Sequence, residues 1–304
     1  MNFENFDEFT TAIMDSLQDN LSGNEKLSVE TVIKNNDEKM TAISIQVNNA
    51  NIGPRIYVDG AYDAYMNGTS FDEIVDNMIK TVNDALSNGA ALKVSMDDIR
   101  FFDKIKPILK VKLINEDMNY EYLKDKPYRS ITNGIAAIAY IDVGSDPYKG
   151  SAVCYVTNQM LSTWGVTDDE VFDVAINNIK ESDYVMIPLE RYLVEYMGIP
   201  EFMVGMPEGP SPMSIVTNKT NMYGASMILN DNVKTDILND FGEDHVIIPS
   251  SIHEMLVIRC PYTELSKDQI NNIVKEVNGT VVKPSEVLSN FVYHVENDGR
   301  LAVA

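Results

Sequence analysis

Between Asn133 and Thr157 two apolar runs face each other across a turn. The first, NGIAAIAYIDV over 133–143, is a long apolar strand by composition. Gly144-Ser145-Asp146-Pro147 is turn chemistry, and Ser151–Thr157 (SAVCYVT) pairs back as the next strand. A hairpin with two apolar arms needs cover, so the rest of the chain has to supply helices and further strands around it.

The remainder supplies both. Phe3, Phe6, Phe9, Ile13, Leu17 and Leu21 recur at helical spacing and predict an N-terminal helix closing near Ser22-Gly23. Leu27–Ile33 and Met40–Val47 are rich in β-branched residues and flank Asn35-Asn36-Asp37-Glu38, which predicts a hairpin. Arg55–Val58 reads as a third strand after Gly53-Pro54. Ser70 and Glu73 form a capping-box pattern for a helix carrying Phe71, Ile74, Met78, Val82 and Leu86 and ending at Gly89. Asp97–Ile108 reads as helical up to Pro107. Ile108–Ile114 (ILKVKLI) alternates apolar and basic residues, the pattern of a half-buried strand. Thr167 and Glu170 cap a helix with Val171, Phe172, Ala175, Ile176 and Ile179 inward, and Trp164 before it reads as a core anchor. A short helix follows Pro188, and Gly198–Pro212 reads as an irregular linker. Ser266 caps a helix with Ile270, Ile273 and Val277 inward, and Pro284 suits the first turn of another over PSEVLSN. Phe291–Val295 and Leu301–Ala304 are closing strands. The expected fold is α+β, with mostly antiparallel sheets and helices packed on them. An N-terminal portion spans 1–115 and a larger C-terminal portion 116–304.

Charge restricts the partners. The 304 residues carry 46 acids against 24 bases, a net charge of −22. Such a chain repels phosphate backbones, and Lys104–Lys112 is the only basic stretch, so direct nucleic-acid binding is not expected. A solvated acidic surface that aids solubility is the favoured reading over a functional acidic face. Cys154 and Cys260 lie in apolar runs without zinc spacing, which predicts free, buried thiols in a reducing cytoplasm. The start MNFENFDEF lacks a basic n-region and an apolar h-region, and no apolar run approaches membrane-spanning length. The expectation is a cytoplasmic protein with no membrane contact.

The densest chemistry lies in Val216–Ile258. There, Val246–Ile248 and Met255–Ile258 predict adjacent antiparallel strands joined by Pro249-Ser250-Ser251-Ile252-His253-Glu254, with Pro249 at the strand end. The catalytic candidates are Ser251 (or Ser250) as nucleophile, His253 as base, and Glu254 or Asp244 orienting it. A tight turn whose serines bond to backbone explains the same residues, and is preferred. A metal site from Asp244, His245 and His253 is weaker, because the histidines fall on opposite arms of the hairpin. Asn218, Lys219, Tyr223 and Gly224 are binding candidates in a ligand-facing turn, although small residues there equally serve close packing. No cofactor or metal motif is present.

NKTNMYGAS, FGEDHVIIPSSIHE and VNGTVVKPSEVLSNFVY resemble an uncharacterised bacterial family, a domain of unknown function common in clostridial and gut-anaerobe genomes and their mobile elements. LSTWGVTDDEVFDVAINN also resembles the uncharacterised YtpQ-like proteins. The resemblance covers nearly the whole chain. It implies a bacterial or phage-borne intracellular protein and assigns no catalytic residue. The leading expectation is a non-catalytic binding or regulatory protein with a protein partner. The alternatives are an acidic inhibitor that mimics nucleic acid and blocks a host or defence protein, and a hydrolase using Ser251 and His253.

Overall fold

Asn5 opens the first element: its side chain accepts the N–H of Glu8, and helix α1 runs over Phe6–Asn20. The computed structural model describes residues 3–21, 25–47, 55–87, 95, 97–146, 150–260 and 266–304. The expected features at Ser22-Gly23, Gly53-Pro54, Gly89 and Pro147 lie outside these residues, as does the side chain of Leu86. The chain divides into two units, residues 1–34 with 38–92 and residues 35–37 with 93–304. The strand that ends at Asn115 is paired within the second unit.

In unit 1, β1 (Glu25–Ile33) and β2 (Lys39–Val47) pair antiparallel over their whole length, and β3 (Arg55–Tyr57) adds to β2. Two helices follow, α2 (Asp59–Met66) and α3 (Phe71–Ser87). The inward stripes of α1 (Phe9, Ile13, Leu17) and α3 (Phe71, Ile74, Met78, Val82) close over Ile43 and Ile45. Ser70 caps α3 through the N–H of Glu73 at 3.3 Å. Helix α2 was not evident from sequence, since it has no fully buried residue and no strong apolar stripe.

Unit 2 begins with α4 (Phe102–Ile105) between single helical turns, then β4 (Leu109–Asn115), β5 (Tyr128–Thr132), β6 (Ile135–Asp146) and β7 (Gly150–Tyr155). Strand β6 pairs antiparallel with all three of the others. Helices α5 (Asn158–Trp164) and α6 (Asp168–Lys180) follow, α6 with the expected Thr167–Glu170 capping box. Trp164 anchors as expected, donating its indole N–H to the Ile99 carbonyl at 2.8 Å.

A second sheet uses β8 (Tyr184–Pro188), β9 (Met213–Asn218), β10 (His245–Ser251), β11 (Glu254–Arg259), β12 (Tyr293–Val295) and β13 (Leu301–Val303) in the order β13-β12-β10-β11-β9-β8. Helices α7 (Leu189–Glu195), α8 (Asp231–Phe241) and α9 (Lys267–Thr280) complete the unit. All strand pairs are antiparallel, so the fold is α+β, as the sequence implied.

Four local expectations need correction. The connection of β10 to β11 is only Ile252-His253, and β10 continues through Pro249, which lies opposite Met255. Strand β12 reaches β10 only at Ile247, so that edge of β10 needs no N–H at Pro249. PSEVLSN forms one 3-10 turn, Pro284–Glu286, and no helix. Its carbonyls are taken from outside: Glu286 accepts the N–H of Ile252, and Pro284 and Val287 accept the Asn36 amide. On α9 the buried residues are Ile270 and Val274, which pack with Val246, Ile258 and Val292, while Ile273 and Val277 are exposed. Finally, Lys112 of β4 is only 3% exposed, not on an open face.

Candidate functional site

The reason for that burial defines the site. Strand alternation puts Leu109, Val111 and Leu113 on the face of β4 that packs against α6, and Lys110 and Lys112 on the other. Cross-strand partners share a face, so Tyr140 and Asp142 of β6 and Tyr155 of β7 join the lysines. Lys110 pairs with the buried Asp142 at 2.8 Å. The Lys112 ammonium lies 4.9 Å from the Tyr223 ring centroid and 5.7 Å from those of Tyr122 and Tyr155. These are cation–π distances. The Tyr155 and Tyr223 hydroxyls are hydrogen-bonded at 2.7 Å, and burial pushes the Tyr155 phenol far above its ordinary range. Burial, with Asp142 adding, does the same to Tyr140.

Tyr122 is placed by the turn at residues 35–37. Asn36 and Asp37 hold left-handed backbone, with φ of 62° and 54°. Asp37 then accepts the N–H groups of Glu121 and Tyr122, each at 2.8 Å. The buried amides of Asn36 and Asn119 bond to each other, Asn119 receiving the Asn36 N–H at 2.7 Å and donating to its Oδ1 at 2.8 Å.

Tyr223 comes from the turn that holds the binding candidates. Asn218 closes that turn on itself, accepting from Thr220 and Met222. Asn221 and Tyr223 both have positive φ, 51° and 54°, and the Asn221 carbonyl oxygen of the side chain is buried without a partner. Such strained backbone persists only where its surroundings over-determine it. Gly224 is packed so closely that a Cβ would stand 2.1 Å from Thr217 Oγ1, 2.6 Å from the His253 carbonyl and 2.7 Å from the Asn218 nitrogen. Only glycine fits. Lys219 is exposed and ion-paired with Asp183. Lys219, Asn218, Lys110 and Tyr140 share the lining of a cavity of about 140 Å³.

The third component is the β10–β11 turn. His253 stacks on Tyr223 with centroids 5.6 Å apart, and its Nδ1 accepts the Tyr223 N–H at 3.2 Å. Ser251 Oγ receives the His253 backbone N–H at 3.0 Å, so this hydroxyl meets main chain and not the ring. Ser250 donates to Glu254 at 3.2 Å and the Tyr192 hydroxyl donates to its other oxygen at 3.1 Å. Burial, with Glu254 adding, pushes the Tyr192 phenol up to about 12. Asp244 does not approach Ser251: it and His245 stand at the start of β10, whose rise puts them roughly 20 Å from His253. Among the described residues no three His, Cys, Asp or Glu side chains converge as a metal set.

Ser251, His253, Tyr223 and Gly224 are thus brought into one neighbourhood, and Lys112, Tyr122, Tyr140 and Tyr155 join them unannounced by any motif. A signal existed: lysines inside an apolar strand, opposite a hairpin with Tyr140, Asp142 and Tyr155 on one face. From Glu254 the site continues outward. Tyr192 stacks on Tyr196 at 5.1 Å, and beyond Tyr196 the chain carries exposed Met197, Phe202, Met203 and Met206.

The second unit is thus an antiparallel α+β body with a closed polar cluster and an exposed apolar segment. The chain belongs to the DUF5688 family, a family of unknown function, which matches residues 6–296. No curated protein and no solved structure matches it. Among the described residues no helix is long and apolar enough to cross a membrane.

Proposed function

We propose that this is a non-catalytic protein-binding or regulatory protein of bacterial or mobile-element origin, acting in the cytoplasm on a protein partner without cofactor, metal or direct nucleic-acid contact. The observation that carries the reading is the segment after α7. Phe202 is 88% exposed, Met203 68% and Met197 61%, with Tyr196 and Met206 beside them in sequence. Aromatic and methionine side chains are enriched at interfaces, and methionine adapts its shape to a partner. Burying Phe202 alone removes enough apolar surface to contribute about 2 kcal/mol. Inside the molecule, the polar groups at the β10–β11 turn are taken up by one another and by backbone, which suits a scaffold for that segment. The test is co-purification from a native bacterial host of the wild-type chain and of Phe202→Asp with Met203→Asp. The expected result is a stoichiometric protein partner lost from the double variant at unchanged melting temperature. Identical co-purifying proteins for both forms overturn it.

The nucleic-acid mimic has its own supporting observation. The exposed faces of α1 and α3 carry Asp7, Glu8, Asp15 and Asp19, and Asp72, Glu73, Asp76 and Asp84, against the single base Lys80. A basic partner held this way is released by moderate salt. Reversal of Asp15 and Asp76 to lysine then abolishes capture, whereas the Phe202 variant retains it.

A further inference from the structure

Tyr140 of β6 meets the rings of Tyr155 and Tyr223 edge-on, with centroids 6.4 and 5.4 Å away. Only 3% of the residue is exposed. The neighbouring hydroxyls of Tyr155 and Tyr223 bond to each other at 2.7 Å, whereas the Tyr140 hydroxyl makes no hydrogen bond to any described residue. Its oxygen is not sealed off, as the Asn221 side-chain oxygen is, so it reaches an opening. A polar group so deep in a fold without a partner calls for an explanation.

The opening is the cavity of about 140 Å³ that Tyr140 lines. Part of its wall is apolar, Ile179 and Met227. Ser182 and Ser226 also line it, and they have given their hydroxyl protons to the Asn178 and Tyr223 carbonyls, at 2.6 and 2.8 Å, so only lone pairs remain to them. The two lysines of the lining are each matched by a carboxylate, Lys110 by Asp142 at 2.8 Å and Lys219 by Asp183 at 2.5 Å. The pairs cancel, so charge at the cavity favours neither an anion nor a cation. Burial, with Asp142 adding, pushes the Tyr140 phenol far above its ordinary range, so the group keeps its proton and acts as a donor.

We propose that this cavity binds a small neutral carboxamide, whose carbonyl oxygen accepts the Tyr140 hydroxyl. Four features select that class. The unpartnered Tyr140 O–H calls for an acceptor oxygen. The lone pairs of Ser182 and Ser226 call for a donor, which an amide NH2 supplies and a ketone or ester lacks. The matched charges of the lining give a carboxylate or an ammonium nothing to offset the cost of leaving water. A cavity of about 150 Å³ holds a benzene-sized molecule, so roughly six non-hydrogen atoms fit here, with an alkyl part against Ile179 and Met227. The cavity does not involve the Phe202 segment, and the two readings fail separately.

The experiment is saturation-transfer NMR on the full chain with butyramide, and in parallel with butyrate and butylamine, which have the same carbon chain and carry a charge. The expected result is transfer to butyramide and none to the two ions. Tyr140→Phe removes a hydroxyl that makes no hydrogen bond to the described residues, so this variant keeps the wild-type melting temperature. It binds butyramide about tenfold more weakly, the loss of one good hydrogen bond, while Phe202→Asp leaves binding unchanged. The proposal is overturned by absence of transfer to butyramide, which leaves the cavity to water, or by equal transfer to either ion. Undiminished butyramide binding in Tyr140→Phe also overturns it. So does a lowered melting temperature in that variant, since the hydroxyl then has a partner within the fold. Loss of binding in the Phe202 variant alone overturns it too, and locates the site at the other segment.

Discussion

His253 Nδ1 accepts the backbone N–H of Tyr223 at 3.2 Å while the two rings stack at 5.6 Å. That nitrogen therefore carries no proton, and His253 is neutral in the fold. His245 is neutral for a parallel reason: its Nε2 accepts the Val295 N–H at 3.0 Å, leaving Nδ1–H for the Gly242 carbonyl at 2.7 Å.

Both histidines have pKa values lowered from 6.5, mainly by burial. Below 6.5 the unfolded chain takes up protons that the folded chain refuses. Stability is therefore complete above 6.5 and declines as pH falls from there towards the lowered folded values. The midpoint of urea unfolding is expected to drop between pH 7 and pH 5, by less in His253→Gln and His245→Gln. Asp231 and Asp183, lowered from 3.8 by their lysine partners, act only at more acidic pH. A midpoint constant across that interval contradicts neutral, backbone-bonded histidines.

Gly224→Ala is expected to destabilise unit 2 by about 3 kcal/mol, because its Cβ meets backbone that cannot give way. Gly205→Ala, with no atom within 4 Å of the added Cβ, is expected to be neutral. Denaturant unfolding of the two variants measures the contrast, and equal stabilities count against the packing at Gly224.

Asn119→Ala removes the partners of the Asn36 N–H and Oδ1 and a donor to the Asn115 carbonyl, all in a buried place. The expected loss is about 2–3 kcal/mol, since each stranded group forfeits its hydrogen bond without regaining water. Thermal unfolding that matches wild type contradicts this network.

Ser251→Ala and His253→Ala are each expected to lower stability by about 1 kcal/mol, the worth of the backbone bonds they make. A hydrolase relying on the pair behaves differently. Its variants keep the wild-type melting temperature and lose an esterase or related activity. Melting curves together with hydrolysis of a panel of nitrophenyl esters separate the two cases.

Period and capping chemistry act within a few residues, so local elements were legible in the sequence. The Phe9–Ile13–Leu17 stripe, the Thr167–Glu170 box and the pairing of the two apolar arms carry their own instructions, but the turn expected from Gly144 does not, since β6 continues through Asp146 opposite Gly150. The antiparallel pairing of β10 with β11 was legible too, since two apolar runs with a short link have little other choice. Lys112 shows where that reach ends. Alternation correctly placed it opposite the core face, but whether that face meets water depends on Tyr122 and Tyr223, which arrive from distant turns. The same holds for PSEVLSN, whose helical propensity lost to carbonyl partners at Asn36 and Ile252. Helix and strand periods are properties of neighbours along the chain. The cover over a sheet face, the partner of a carbonyl and the cavity beside Tyr140 depend on residues far apart in sequence, and only tertiary packing brings those together.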